Sequence, residues 1–168
     1  MKKNIKITEQ DIQNIVNDYW FIVEPIWDKG NIYRTYSIYE NSIAKFSIHQ
    51  KYLHATEWLI SEVSNGGFDQ LFYNSTGIVW KYAYKGFIEM NCYKTIEILD
   101  KVLTLYGKQP SEDREERWNE IENNPNWERC IDKLNSDFYS LEEYEEKAIE
   151  YIKSNAKDFM FEGEINID

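Results

Sequence analysis

Histidine and cysteine are scarce in this chain, with two of each in 168 residues, and proline (three) and glycine (seven) are sparse as well. Each shortage excludes something. Cys92 and Cys130 lie in no CxxC pair, and two thiols cannot staple a fold of this size, so both are expected to be reduced and mostly buried. His49 and His54 are five residues apart and diverge by about 140° on a helix, so they do not share a ligand easily. His54 and Glu57 can face the same way, but no second histidine motif supplies the rest of a metal site. A Ser/His or Cys/His nucleophile has equally little to build on. No Walker loop, GxGxxG or HExxH is present. No apolar run approaches the length of a bilayer span, and the basic start Met1-Lys2-Lys3 is not followed by an apolar stretch. Neither a span nor a secretory leader is expected, and cytoplasm is the expected location. These absences predict a non-enzymatic protein with no cofactor and no metal.

What is abundant is aromatic and acidic. Apolar residues make up 42% of the chain, and six Trp, thirteen Tyr and eight Phe are among them, enough for one real core. Exposed members of that set would offer a homodimer face. The net charge is −11, which disfavours nucleic acid and anionic membranes and favours basic partners. Residues 1–108 hold 12 basic and 12 acidic side chains, whereas 109–168 hold 7 and 18, so the whole excess belongs to the last 60 residues. The turn Gly107-Lys108-Gln109-Pro110 marks the junction between two halves of one fold.

Periodicity predicts an all-α fold, a single compact multi-helix domain with one or two very short extended pieces. An N-terminal helix-and-loop extension (1–34) precedes a neutral helical body (35–108) and an acidic helical half (109–168). Thr8 caps a first helix with Ile12, Ile15, Val16 and Tyr19 on its apolar face. Trp20–Tyr36, interrupted by Pro25 and Gly30, reads as a short helix plus loop. One long helix is expected from about Tyr39 to Ser64, ending at Asn65-Gly66-Gly67. Further helices follow over Phe68–Tyr73, Ile78–Asn91 and Tyr93–Tyr106. Ser111 is expected to cap the next, with Glu112 and Asp113 in its first turn. After a break at Asn123–Asn126 comes a piece over Trp127–Leu134. Ser140-Leu141-Glu142-Glu143 reads as the capping box of a final helix carrying Tyr144, Ala148, Tyr151 and Ile152 inward. Asn31–Ile38 and Phe161–Ile167 are the candidate extended pieces.

The most unusual segment is E-x-x-N-G-G-F-x-Q-x-F-x-N-x-x-G: Glu62, Asn65, Gly66, Gly67, Phe68, Gln70, Phe72, Asn74 and Gly77. Two glycines permit a tight corner, and Phe68 and Phe72 drop into the core one turn apart. The amides of Asn65, Gln70 and Asn74 can satisfy backbone groups at two helix ends. This run resembles the core of the DNA mimic protein nineteen family, with similarity expected over about residues 35–160. The resemblance implies an all-helical fold. The family's founding member is an acidic dimer that occupies the DNA-binding face of a transcription factor, an activity that belongs to its acidic surface and not to the motif.

Here the candidate acidic surface is Glu112, Asp113, Glu115, Glu116 and Glu120 together with Glu142, Glu143, Glu146 and Glu150. Residues four apart on a helix rise about 6 Å per step. Phosphates on one DNA strand advance about 3.4 Å, so two acidic helices would be needed to match them. Lys147, Lys153 and Lys157 are close enough to neutralise part of the row, so a merely solvating surface stands beside the functional one. The expected partner is a basic protein, either a DNA-binding regulator or, in an immunity-type role, a toxin. A different class of reading places a small-molecule pocket at the Asn65–Asn74 corner, which requires Glu62, Gln70 and Asn74 to converge on open space.

Overall fold

A computed structural model describes residues 2–166. Helix accounts for 69% of the chain, with nine α-helices among the described residues and one two-stranded sheet, as periodicity predicts. Strand β1 (Lys2–Ile7) opens the chain and pairs antiparallel with β2 (Phe161–Asn166), Lys2 opposite Asn166. The expected extended tail is thus real up to Asn166, and Ile167 lies outside the described residues. The partner strand was not foreseen. Its alternation is too short to register: one face of the ladder packs Ile5, Ile7, Phe161 and Ile165 against the body, and on the other Lys2 and Lys6 meet Glu164 and Glu162.

Helix α1 (Glu9–Gln13) starts where expected, with Thr8 and Asp11 forming a reciprocal cap. It stops after five residues, which leaves Val16 77% exposed instead of in the apolar face. Helix α2 (Trp20–Lys29) tolerates Pro25 inside it and buries Ile22, Val23 and Ile26. Asn31–Ile38 forms no strand; helix α3 (Tyr36–Ser42) takes its second half.

The single helix expected over 39–64 is two. The chain breaks after α3, and Ser47 starts α4 (Ile48–Tyr73) with its hydroxyl on the Gln50 N–H and the Gln50 side chain returning to Ser47. Polar Ser47 and Gln50 offered this capping signal, and the apolar stripe through Phe46 masked it. Helical dihedrals lapse at Gly66 and Gly67, where the stop was predicted, so α4 is two helices joined across a kink, and the second reaches Tyr73 as expected. A 3₁₀ turn (Ser75–Val79) leads into α5 (Trp80–Glu89), followed by α6 (Tyr93–Tyr106) ending on Gly107 in the left-handed region.

Asp113, and not Ser111, caps α7 (Arg114–Glu122), so Glu112 and Asp113 lie before the helix. The short side chain of Asp113 accepts the Glu116 N–H at 3.0 Å, while Ser111 supports the turn by accepting from the Asp113 N–H. Helix α8 runs Trp127–Tyr139, five residues beyond expectation, and Ser140 closes it through the Asp137 carbonyl. Ser140 is therefore committed to the preceding helix and cannot box the next. Helix α9 (Tyr144–Ser154) begins after Glu143 with no side-chain cap, and Glu142 is outside it.

The core surrounds α4, with Phe68, Phe72, Phe87 and Phe159 among its fully buried rings. Arg117 of α7 is as buried as they are. Its guanidinium donates to the carbonyls of Phe72 (3.1 Å), Asn74 (2.6 Å) and Ser111 (2.8 Å). Burial lowers its pKa to about 10, which leaves it charged at neutral pH. Arg114 and Trp118 both donate to the Tyr73 carbonyl. Cations at a helix C-terminus are favoured by the exposed carbonyl dipoles, so α7 acts as the cap of α4. No helix among the described residues is long and apolar enough to cross a membrane. Arg117→Met fills similar volume but strands three carbonyls, and is expected to lower unfolding free energy by roughly 3–5 kcal/mol, measured by urea titration.

Candidate functional site

The run around Gly66-Gly67 folds into a filled corner. Glu62, 8% exposed, accepts through one oxygen from Gln70 Nε2 at 2.7 Å and Asn74 Nδ2 at 2.9 Å, and Asn65 donates to Gln70 Oε1 at 3.1 Å. The three amides therefore bind Glu62 and one another. They do not satisfy the helix ends, as the sequence suggested. That task falls to Asn135 of α8, whose Oδ1 accepts the Phe68 N–H at 2.9 Å, and to Arg114, Arg117 and Trp118. Asn135 and Arg117 were missed because their partners at Phe68, Phe72 and Asn74 are more than forty residues away in sequence, and no local pattern marks them.

Two glycines are obligatory here. Gly67 has φ +72°, and a Cβ on it would stand 2.6 Å from Asn135 Nδ2. A Cβ on Gly77 would stand 2.6 Å from Arg117 Nε. Phe68 and Phe72 are fully buried. The corner is therefore a packed joint between α4, α7 and α8, and Glu62, Gln70 and Asn74 converge on one another.

Neither histidine is free. His54 is fully buried, accepts from Trp58 Nε1 at 3.0 Å through Nε2, and so carries its proton on Nδ1, 3.0 Å from the Tyr39 hydroxyl. Burial depresses its pKa to about 3. His49 bonds the Tyr151 hydroxyl at 2.6 Å through Nδ1.

The acidic candidates divide into two groups. Helix α7 is held to α4 at Phe72–Asn74, whereas α9 is held near its start, through Tyr151 on His49 and Tyr144 on Thr56 and Glu57. Glu57 and Phe72 lie on opposite sides of the Gly66-Gly67 kink, so the two acidic groups are attached to different stretches of α4. Around α7, Glu112, Asp113, Glu115 and Glu116 are exposed. Asp113 is spent on the cap, Glu116 accepts from Ser111 at 2.6 Å, and Glu120 pairs with Lys108. Among the described residues Glu112 and Glu115 have no side-chain partner. Near α9, Glu142 and Glu146 are exposed and likewise unpartnered, but Glu150 pairs with Lys147 at 3.0 Å. Glu143 turns inward, accepting the Thr95 N–H at 2.8 Å and its hydroxyl at 3.0 Å, which satisfies the first turn of α6.

An all-helical domain with a packed Asn-Gly-Gly-Phe joint and carboxylates exposed along its acidic half is a class of protein that matches one known family. The profile of the DMP19-like protein family matches residues 44–155, about two thirds of the chain, and the chain belongs to that family. Comparison with curated proteins and with solved structures returned no match.

Gly67→Val forces a β-branched residue to positive φ against Asn135. It should reduce stability by at least about 2–3 kcal/mol, read from its thermal or urea midpoint. Buried neutral His54 binds a proton less readily than it does in the unfolded chain. Stability present above pH 6.5 is therefore lost as pH falls from there toward 3, at up to about 1.4 kcal/mol per unit. In His54→Phe that part of the pH slope should vanish, whatever the absolute stability, as measured by urea midpoints across the range.

Proposed function

We propose that this chain is a cytoplasmic acidic binding protein that acts without catalysis, presenting its carboxylates to a basic protein whose surface otherwise holds DNA. The observation that carries this reading is the direction in which charge points on α7. Arg117 is buried, and exposed Arg114 is tied to the Tyr73 carbonyl and stacked 4.5 Å over Trp118, while Glu112, Glu115 and Glu116 face solvent beside it. With one of its two arginines withdrawn into the core, the start of α7 displays more acids than cations. Glu142 and Glu146 add a second exposed group near α9. By contrast, Glu162 and Glu164 are matched to Lys6 and Lys2 and contribute little net field. Two free thiols, Cys92 and Cys130, suit a reducing compartment. Membership of the DMP19-like family lends support only through its founding member, whose DNA mimicry belongs to an acidic surface and not to the shared motif.

The test is affinity capture from the native host with wild type and with Glu112, Glu115, Glu142 and Glu146 changed together to Gln. The wild type should retain a basic DNA-binding protein that raised salt or excess duplex DNA releases. The variant should keep its circular dichroism and lose the captured protein. Equal capture by both, or capture indifferent to duplex DNA, would falsify the proposal.

A further inference from the structure

The carboxylates before and within α7 form one wall of an open groove of about 760 Å³. Its opposite wall is the segment 33–38, in which Tyr33 is 70% exposed and Ile38 44% exposed, with Ile78 at the base. Exposed large apolar side chains facing unpartnered carboxylates across a groove are an arrangement that water alone does not reward. Arg34 and Arg114 also line it. Arg114, though held by the Tyr73 carbonyl and the Trp118 ring, is exposed and keeps its charge, so two arginines line the groove against the three carboxylates of Glu112, Asp113 and Glu115.

We propose that this groove seats a basic segment of the partner protein, with one apolar side chain between Tyr33 and Ile38 and its cations on Glu112 and Glu115. The proposal rests on the acidic-surface reading above and adds what the partner must carry: charge with an adjacent apolar anchor, which a phosphate backbone lacks. Charge complementarity selects the occupant, since two acids without internal partners stand beside the apolar wall. The groove at α9 is a weaker rival, because Glu150 there is already paired with Lys147 and Val16 is the one exposed large apolar side chain among its lining residues. Residues 33–38 precede the stretch 44–155 matched by the family profile, whereas α7 lies inside it. The extension of this chain therefore supplies half of the groove and with it a means of choosing among basic partners.

Two labelled synthetic peptides test the inference. They carry the same number of lysines and arginines, one with a central Trp-Leu pair and the other with Ser-Ser. Wild type should bind the anchored peptide about tenfold tighter. Tyr33→Ala with Ile38→Ser, both at exposed positions, should erase that preference while leaving salt-sensitive binding of both peptides. Ser37→Trp, which fills the groove from its rim, should do the same. Glu112→Gln with Glu115→Gln should weaken both peptides alike. Equal affinity of the two peptides for wild type, or a preference that survives both groove variants, overturns this inference alone. Failure of either peptide to bind, or binding by the charge variant equal to wild type, overturns the acidic-surface reading as well.

Discussion

A guanidinium ringed by carbonyl oxygens joins the two halves of this molecule. Arg117 has no carboxylate partner; it is held by the last carbonyls of α4 and by that of Ser111. An isolated buried cation is expensive unless its donors are satisfied, and here two carbonyls at the negative end of α4, with that of Ser111, supply what a carboxylate otherwise would. Because Arg117 is turned to the joint, it pairs with no acid of α7, and Glu112 and Glu115 are left without a side-chain partner among the described residues. The anchoring of the helix and the sign of its outer surface are two results of one set of contacts.

The Asn-Gly-Gly-Phe run serves that joint. Glu62 gathers Gln70 and Asn74, which fixes the end of α4 where Arg117 must reach it, and Gly77 leaves the space that the guanidinium occupies. Gly67 lets Asn135 approach closely enough to accept the Phe68 N–H. The motif's polar residues therefore act on the scaffold, and what distinguishes this chain in function has to lie on surfaces outside it.

Apolar spacing made the helical class, the break at Asn123–Asn126, the irregularity at Gly66-Gly67 and the buried Phe68 and Phe72 legible before any coordinates. Local polar signals were read less well. Ser140 looked like an N-cap and is a C-terminal residue of α8; Ser47 and Gln50, a real cap, were passed over inside an apolar stripe. Both errors have one cause: a short hydroxyl side chain can close the helix behind it or open the one ahead, and only tertiary packing decides. Of the acidic candidates, exposure of Glu112, Glu115, Glu142 and Glu146 followed from sequence, but the inward turn of Glu143 did not, since Thr95 is 48 residues away. The groove beside α7 was invisible for the same reason, its walls coming from opposite sides of a long helix.

The strand pair carries a consequence for how the chain matures. Pairing residues 2–7 with 161–166 makes everything between them one closed loop, so β1 has no mate until nearly all of the intervening chain has been made. During that wait its free backbone would be an invitation to other nascent chains, and Lys2, Lys3 and Lys6 discourage such pairing by mutual repulsion. The same lysines that bind Glu162 and Glu164 in the folded chain thus disfavour foreign pairing of β1 for as long as residues 161–166 are absent.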